Sequence, residues 1–73
     1  MKKTRDTIIR ILNKDTSKDH ISKLCRDNGM TQKIAEVVDK FLDKTMEEVA
    51  YDMQIDVRTV QRNINTFIEK CSH

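Results

Sequence analysis

Residues 45–64 read TMEEVAYDMQIDVRTVQRNI, and this stretch decides the fold of the 73-residue chain. It begins with a capping-box pattern, in which the Thr45 hydroxyl accepts from the amide of Glu48 and the Glu48 carboxylate reaches back. Apolar side chains recur at helical spacing on both sides of a short break. Asp56 follows that break and is a favourable N-cap residue. The stretch therefore predicts a short helix, a turn of about three residues and a second, longer helix.

The apolar residues of this stretch have separate predicted places. Ala50 is small enough to let the two helices approach closely where they cross. Ile55 lies in the turn and fills the space beneath it. The matching face of the shorter helix consists of Met46, Val49, Ala50 and Met53, and the inner stripe of the longer helix is Val57, Val60, Ile64, Phe67, Ile68 and Cys71.

Three further amphipathic segments precede this pair. The first covers about residues 4–14, the second follows Thr16 or Ser17 as its cap, and the third follows Thr31. Gly29, the only glycine, ends the second segment, where a positive φ is most useful. Their apolar stripes are Ile8, Ile11 and Leu12; Ile21, Leu24 and Cys25; and Ile34, Val37, Val38, Phe41 and Leu42.

Length and composition favour one all-α domain. The chain has a mass of 8.6 kDa, one Gly and no Pro, so tight hairpin turns that require positive φ are nearly unavailable. We expect a compact bundle of about five short helices. Residues 1–30 form an N-terminal helical extension, and residues 31–71 form a three-helix core that contains the helical pair at 45–68.

Composition also excludes several classes of function. No apolar run approaches the roughly 20 residues that cross a bilayer, and no signal-peptide core follows the basic start, so we expect a cytoplasmic protein without a membrane contact. His20, Cys25, Cys71 and His73 lack the spacing of a metal site, and the two cysteines are typical of core positions. The predictions are therefore no metal, no cofactor and no enzymatic activity.

The run from Thr45 to Ile64 resembles the helix-turn-helix of bacterial regulators, and it is closest to the DeoR-like type, whose signature reads roughly E-LA--L-VS--TIRRDL. It is also similar to the corresponding region of sigma factors. Ala50 matches the small residue of that signature, Ile55-Asp56 match VS, and residues 59–64, TVQRNI, match TIRRDL. Gln54 departs from the usual glycine of the turn. About nine residues follow Ile64, which is too few for the β-hairpin wing of DeoR-like domains, so no wing contacts are expected.

The resemblance implies binding of double-stranded DNA, with the second helix of the pair in the major groove. The outward side chains of that helix are of types that pair with base edges: Arg58, Gln61, Arg62 and Asn65. Thr59 and Thr66 are placed to reach flanking phosphates. The alternative is that this helix presents only a solvated polar face within a small bundle.

Charge is unevenly divided along the chain. The formal net charge of +2 separates into +4 for residues 1–30, −4 for residues 31–56 and +2 for residues 57–73. Lys2, Lys3 and Arg5 therefore form a candidate arm on the phosphate backbone, although a basic terminus that only aids solubility explains them equally well. Glu47 and Glu48 are better explained by capping and the helix dipole than by acid–base chemistry.

We thus expect a small transcriptional regulator of bacterial, phage or mobile-element origin, acting as a homodimer or with a protein partner. The apolar residues of the N-terminal helices, Ile8, Ile9, Ile11 and Leu12, are the candidate surface for that contact. Two alternatives remain open. The chain is an adaptor or inhibitor that binds the transcription machinery, or residues 20–38, which loosely repeat the pattern, form a second helix-turn-helix.

Overall fold

The computed structural model describes residues 2–72, apart from the side chains of Lys2 and Lys3. This part of the chain forms five helices and no strand, so the predicted all-α bundle is confirmed. The bundle measures 27 × 24 × 20 Å along its principal axes. Its elements are α1 (Lys2–Ile11), α2 (Lys18–Asp27), α3 (Gln32–Phe41), α4 (Met46–Met53) and α5 (Val57–Cys71).

The starts of the last four helices lie at the predicted caps. The hydroxyls of Ser17 and Thr31 each accept a hydrogen bond from the amide three residues later. The capping box is present, with the Glu48 amide 3.1 Å from the Thr45 hydroxyl and the Thr45 amide 2.9 Å from the Glu48 carboxylate. Asp56 occupies the N-cap of α5 in extended backbone, but its side chain makes no capping hydrogen bond.

Three helices end at residues with positive φ. Gly29 has a φ of 74°, as expected for the residue that follows α2. Gln54 after α4 has a φ of 56°, and Asn13 and Lys14 after α1 have φ values of 55° and 68°. Scarcity of glycine therefore does not prevent left-handed turns in this chain. The turn at Asn13 also ends α1 earlier than the predicted boundary at residue 14.

One hydrophobic core contains side chains from all five helices. Ile8 and Leu12 are fully buried in it, at 0% exposure, so the N-terminal segment is part of the core. The expectation that these two residues form a partner surface is therefore wrong, because their side chains are enclosed within the chain itself. Ile9 and Ile11, which were assigned to the same surface, are half-buried.

The inner stripe of α5 is shorter than predicted. Val60, Ile64 and Phe67 are fully buried, whereas Val57 is 39% exposed. The assignment of Val57 to the core is therefore wrong. Val57 is the first residue of α5 and lines an open groove with residues of α1, α3 and α4, which leaves part of its side chain in solvent.

Arg5 attaches α1 to the end of α3. Its Nε donates to the carbonyl oxygen of Phe41 at 3.1 Å, and its Nη2 donates to the carbonyl oxygen of Lys44 at 2.9 Å. These carbonyls lie at the C-terminal end of α3 and just beyond it, where backbone acceptors lack partners within the helix. The guanidinium also lies 4.7 Å from the centre of the Phe41 ring.

Polar contacts between helices are few and lie near the surface. The ring Nε2 of His20 donates to the carbonyl oxygen of Leu12 at 3.1 Å, which fixes the start of α2 against the end of α1. Lys18 and Glu36 form an ion pair of 3.6 Å between α2 and α3. Exposed pairs of this kind contribute less than about 1 kcal/mol, so burial of apolar side chains carries the stability of the bundle.

Candidate nucleic-acid interface

The turn between α4 and α5 is built from Gln54, Ile55 and Asp56. The Ile55 amide donates to the carbonyl oxygen of Ala50 at 3.0 Å, and the Gln54 amide donates to that of Tyr51 at 3.3 Å. This is the hydrogen-bond pattern of a Schellman end, which requires a left-handed residue at the position of Gln54. Gln54 thus adopts the conformation that a glycine would usually supply there.

Ala50 and Ile55, the residues predicted to pack α4 against α5, both contact the hydrophobic core. Ala50 is only 5% exposed and belongs to the hydrophobic core. Ile55 is half-buried and packs against the core from the turn. The orientation of α5 relative to α4 is therefore fixed by apolar contacts on one face, which leaves the opposite face of α5 in solvent.

That outward face collects most of the predicted base-reading residues. Arg58, Gln61, Arg62 and Asn65 are all exposed and line one shallow depression along α5. Arg58 and Asn65 are seven positions apart along the helix, a length of roughly 10 Å, which matches about three base pairs at 3.4 Å each. The four side chains are thus close enough together to meet one short stretch of a nucleic acid.

The two predicted phosphate contacts differ in position. Thr66 is half-buried and lines the depression together with the base-reading side chains. Thr59 is also half-buried, but it does not line the depression. Of the two threonines, Thr66 is therefore the better placed beside a ligand on this face.

The N-terminal basic cluster is divided by the structure. Arg5 is a correction to the prediction, because its guanidinium is engaged by two backbone carbonyls and the Phe41 ring and cannot serve as a mobile arm. The side chains of Lys2 and Lys3 lie outside the described residues. Thr4, the next residue, lines a groove together with Gln61, so the start of α1 lies near the first turns of α5.

The depressions on α4 and α5 differ in charge. The depression on α5 contains two arginines, and its single carboxylate, Glu69, lies beyond Asn65 toward the helix end. A separate depression on α4 is lined by Glu47, Glu48, Asp52 and Tyr51, with Lys44 at its edge. By formal charge, the depression on α5 is therefore net positive and the depression on α4 is net negative.

Sequence reasoning missed one surface residue at this interface. Val57 lines the groove between α1, α4 and the start of α5, where Gln61 is its neighbour one turn further on. The hydrophobic pattern gave no signal for this exposure, because Val57 fits the spacing of Val60 and Ile64. Only the position of Val57 in the first turn, directly after the cap, distinguishes it.

The α2–α3 pair repeats the turn but not the outward face. The Met30 amide donates to the carbonyl oxygen of Cys25 at 2.7 Å. The hydrogen bond from the Ile55 amide to the carbonyl oxygen of Ala50 is its equivalent, 25 residues further along the chain. Val37, which corresponds to Arg62 at that offset, is fully buried. The two pairs therefore turn different faces of their second helices outward.

The remaining chemistry-bearing residues form no further site in the described part of the chain. Residues 2–72 contain no group of three or more His, Cys, Asp or Glu that could hold a metal ion. Burial raises the pKa of the Cys25 thiol to about 11, the nearby Cys71 adds to this rise, and burial also raises the pKa of Cys71. Neither cysteine is therefore an activated nucleophile. Of the described helices, none has the length and apolar character needed to cross a membrane.

Comparisons with protein-family models, with curated proteins and with solved structures gave no significant match.

Proposed function

We propose that this chain binds double-stranded DNA, with α4, the turn and α5 acting as a helix-turn-helix. The N-terminal half of α5 lies in the major groove with its outward face toward the bases, and α4 crosses the DNA backbone. Arg58 and Arg62 pair with guanine O6 and N7, while Gln61 and Asn65 pair with adenine N6 and N7. Thr66 donates to a flanking phosphate. This is the activity expected of a small transcriptional regulator.

The observation that carries the proposal is the composition of one exposed helix face. Arg58, Gln61, Arg62 and Asn65 lie together on α5, and the first carboxylate along that face is Glu69. Nearly one residue in six of the chain is Asp or Glu, yet no carboxylate occurs between Asp56 and Glu69. Its side chains are the types that hydrogen-bond to base edges, and its positive charge favours phosphate.

One such unit contacts only a few base pairs, so high specificity requires a second copy on a paired half-site or a partner protein. We propose a dimer, but the surface assigned to it from the sequence is largely unsuitable because Ile8 and Leu12 are buried. The half-buried Ile9 and Ile11 are what remains of that surface. Two copies of α5 would then read two half-sites about one helical turn apart.

The direct test is selection of binding sites from random duplex DNA with the purified full chain. We expect recovery of a short recurring sequence, with paired copies if the protein binds as a dimer. The affinity should fall steeply as salt rises from 50 to 200 mM, because phosphate contacts release counterions. Recovery of no recurring sequence, together with weak binding to every duplex, would contradict the proposal.

A second candidate function is binding to another protein through α4. Tyr51 is 85% exposed, which makes it the most exposed large apolar side chain among the described residues. It lies among Glu47, Glu48 and Asp52, a surface that fits a basic segment of a partner in the transcription machinery. Partner binding of this kind would survive removal of Arg58 and Arg62 and would be lost in a Tyr51→Ala variant.

A further inference from the structure

Val57 is an exposed apolar side chain in a groove that it lines together with Phe41, Met46, Glu47 and Gln61. It is 39% exposed, and the other exposed large apolar side chain in residues 2–72 is Tyr51 on α4. The next residue, Arg58, and the residue one turn later, Gln61, are both exposed. Val57 lies in the groove next to the depression that contains the base-reading side chains, and Gln61 lines both.

The relation between Val57 and Gln61 limits what Val57 can contact. The two residues are four apart on α5 and line the same groove, so their Cβ atoms lie roughly 6 Å apart on one side of the helix. A base pair within reach of the Gln61 amide is thus one or two steps from the base pair within reach of the Val57 methyl groups. In the proposed complex Gln61, which lines both the depression and the groove, places Val57 next to the DNA.

Only one base offers an apolar group in that groove. Thymine presents its C5-methyl, whereas the other base edges present hydrogen-bond donors and acceptors that a valine cannot satisfy. We infer that Val57 contacts the C5-methyl of a thymine and makes this thymine a preferred base at the end of the recognised site. The inference rests on the proposed function, because it assigns a base to a residue of the same interface.

The contact has a defined physical basis. Packing the Val57 methyl groups against the thymine methyl removes apolar surface from water on both partners, which strengthens binding. Cytosine in the same place would set its amino group near an apolar side chain and lose hydration without a new hydrogen bond. Val57 therefore contributes to selectivity between bases, while Arg58 and Arg62 contribute most of the attraction to DNA.

The test uses the duplex selected by the wild-type chain and replaces its thymines, one at a time, with deoxyuridine. Uracil keeps the hydrogen-bonding edges of thymine and lacks only the C5-methyl, so each replacement isolates that group. We expect one replacement at the outer end of the half-site to weaken wild-type binding by roughly fourfold, the value for one buried methyl group.

Variants of Val57 show whether this side chain causes the loss of affinity on removal of the thymine methyl. In Val57→Ser, the same replacement should change affinity by less than about 1.5-fold, whereas Val57→Thr, which keeps one γ-methyl group, should retain part of the effect. Because Val57 is exposed, both variants should keep the helical circular dichroism and unfolding midpoint of the wild type. An unchanged circular dichroism spectrum and unfolding midpoint would show that the fold is intact.

Two results would overturn the inference, and they are distinguishable from failure of the proposed function. If every deoxyuridine replacement leaves wild-type affinity unchanged, no thymine methyl is read. If one replacement weakens binding equally in the wild type and in Val57→Ser, another side chain reads the methyl. Failure to select any duplex would instead contradict DNA binding itself, and this inference would fall with it.

Discussion

The guanidinium of Arg5 lies over the ring of Phe41 and donates a hydrogen bond to the carbonyl oxygen of the same residue, 36 positions later in the chain. A second hydrogen bond from Arg5 reaches the carbonyl oxygen of Lys44, the residue before the N-cap of α4. The side chain therefore caps the C-terminal end of α3 and fixes α1 beside the helices proposed to bind DNA. A basic residue near the terminus thus has a structural role.

We expect Arg5→Ala to lower the free energy of unfolding by about 2 kcal/mol, because two part-buried acceptors lose a charged donor. Arg10→Ala is the matched control, since Arg10 is an exposed arginine on the same helix. Urea unfolding followed by circular dichroism measures both. Equal stability of the two variants would show that the Arg5 contacts contribute nothing.

The two N-caps of the proposed helix-turn-helix should contribute different amounts to the free energy of unfolding. Thr45 accepts from the Glu48 amide, so Thr45→Ala should cost about 1 kcal/mol of stability. Asp56 makes no capping hydrogen bond, so Asp56→Ala should cost at most about 0.5 kcal/mol, from the helix dipole alone. Thermal or urea unfolding of the two variants measures these losses of stability. A larger loss for Asp56→Ala than for Thr45→Ala would contradict the cap geometry.

Gln54→Gly should stabilise the chain by about 1 kcal/mol. Gln54 has a φ of 56°, a left-handed conformation that is unfavourable for a residue with a Cβ and free of that penalty for glycine. Lys23→Gly is the control, because Lys23 is exposed in the middle of α2, where glycine should cost about 1 kcal/mol. Unfolding midpoints that fall for both variants would contradict the positive φ at Gln54.

Stability should fall at alkaline pH through Cys25. Burial raises the pKa of the folded-state thiol to about 11 from the ordinary value of 9.0, so the unfolded chain releases this proton first. The stabilising effect is complete below about pH 9 and is lost as pH rises toward 11. Urea titrations between pH 8 and 11 should show a steeper decline for the wild type than for Cys25→Ala. Parallel curves would contradict the prediction.

Much of the fold follows from local signals in the sequence. Ser17, Thr31 and Thr45 accept hydrogen bonds at helix starts because their short side chains reach the amides of the first turn. Gly29 ends α2 because a positive φ is free of penalty there. These effects depend on neighbours within a few residues, so the sequence displays them directly.

The remaining features depend on residues that are distant in the chain. Arg5 finds its acceptors 36 and 39 positions away, and no local pattern predicts such a pairing. Val57 continues the hydrophobic spacing of α5 but lines a groove with residues of α1, α3 and α4, which leaves part of its side chain in solvent. Both corrections concern the start of α1 and the start of α5, which the fold brings close together.

The central claim is that the outward face of α5 binds DNA. Its most direct test compares two double variants that remove the same charge. Arg58→Ala with Arg62→Ala alters the proposed interface, whereas Lys23→Ala with Arg26→Ala removes two exposed cations from α2. Both should fold, and the measurement is affinity for the selected duplex at a fixed salt concentration.

We predict that the α5 variant loses at least about 30-fold in affinity, since each of the two bidentate arginine–guanine pairs contributes about 1–3 kcal/mol. The α2 variant should lose less than about threefold, because exposed charges remote from the interface act only through screened attraction. Equal losses in the two variants, or unchanged affinity after removal of Arg58 and Arg62, would contradict the assignment of α5 as the recognition helix.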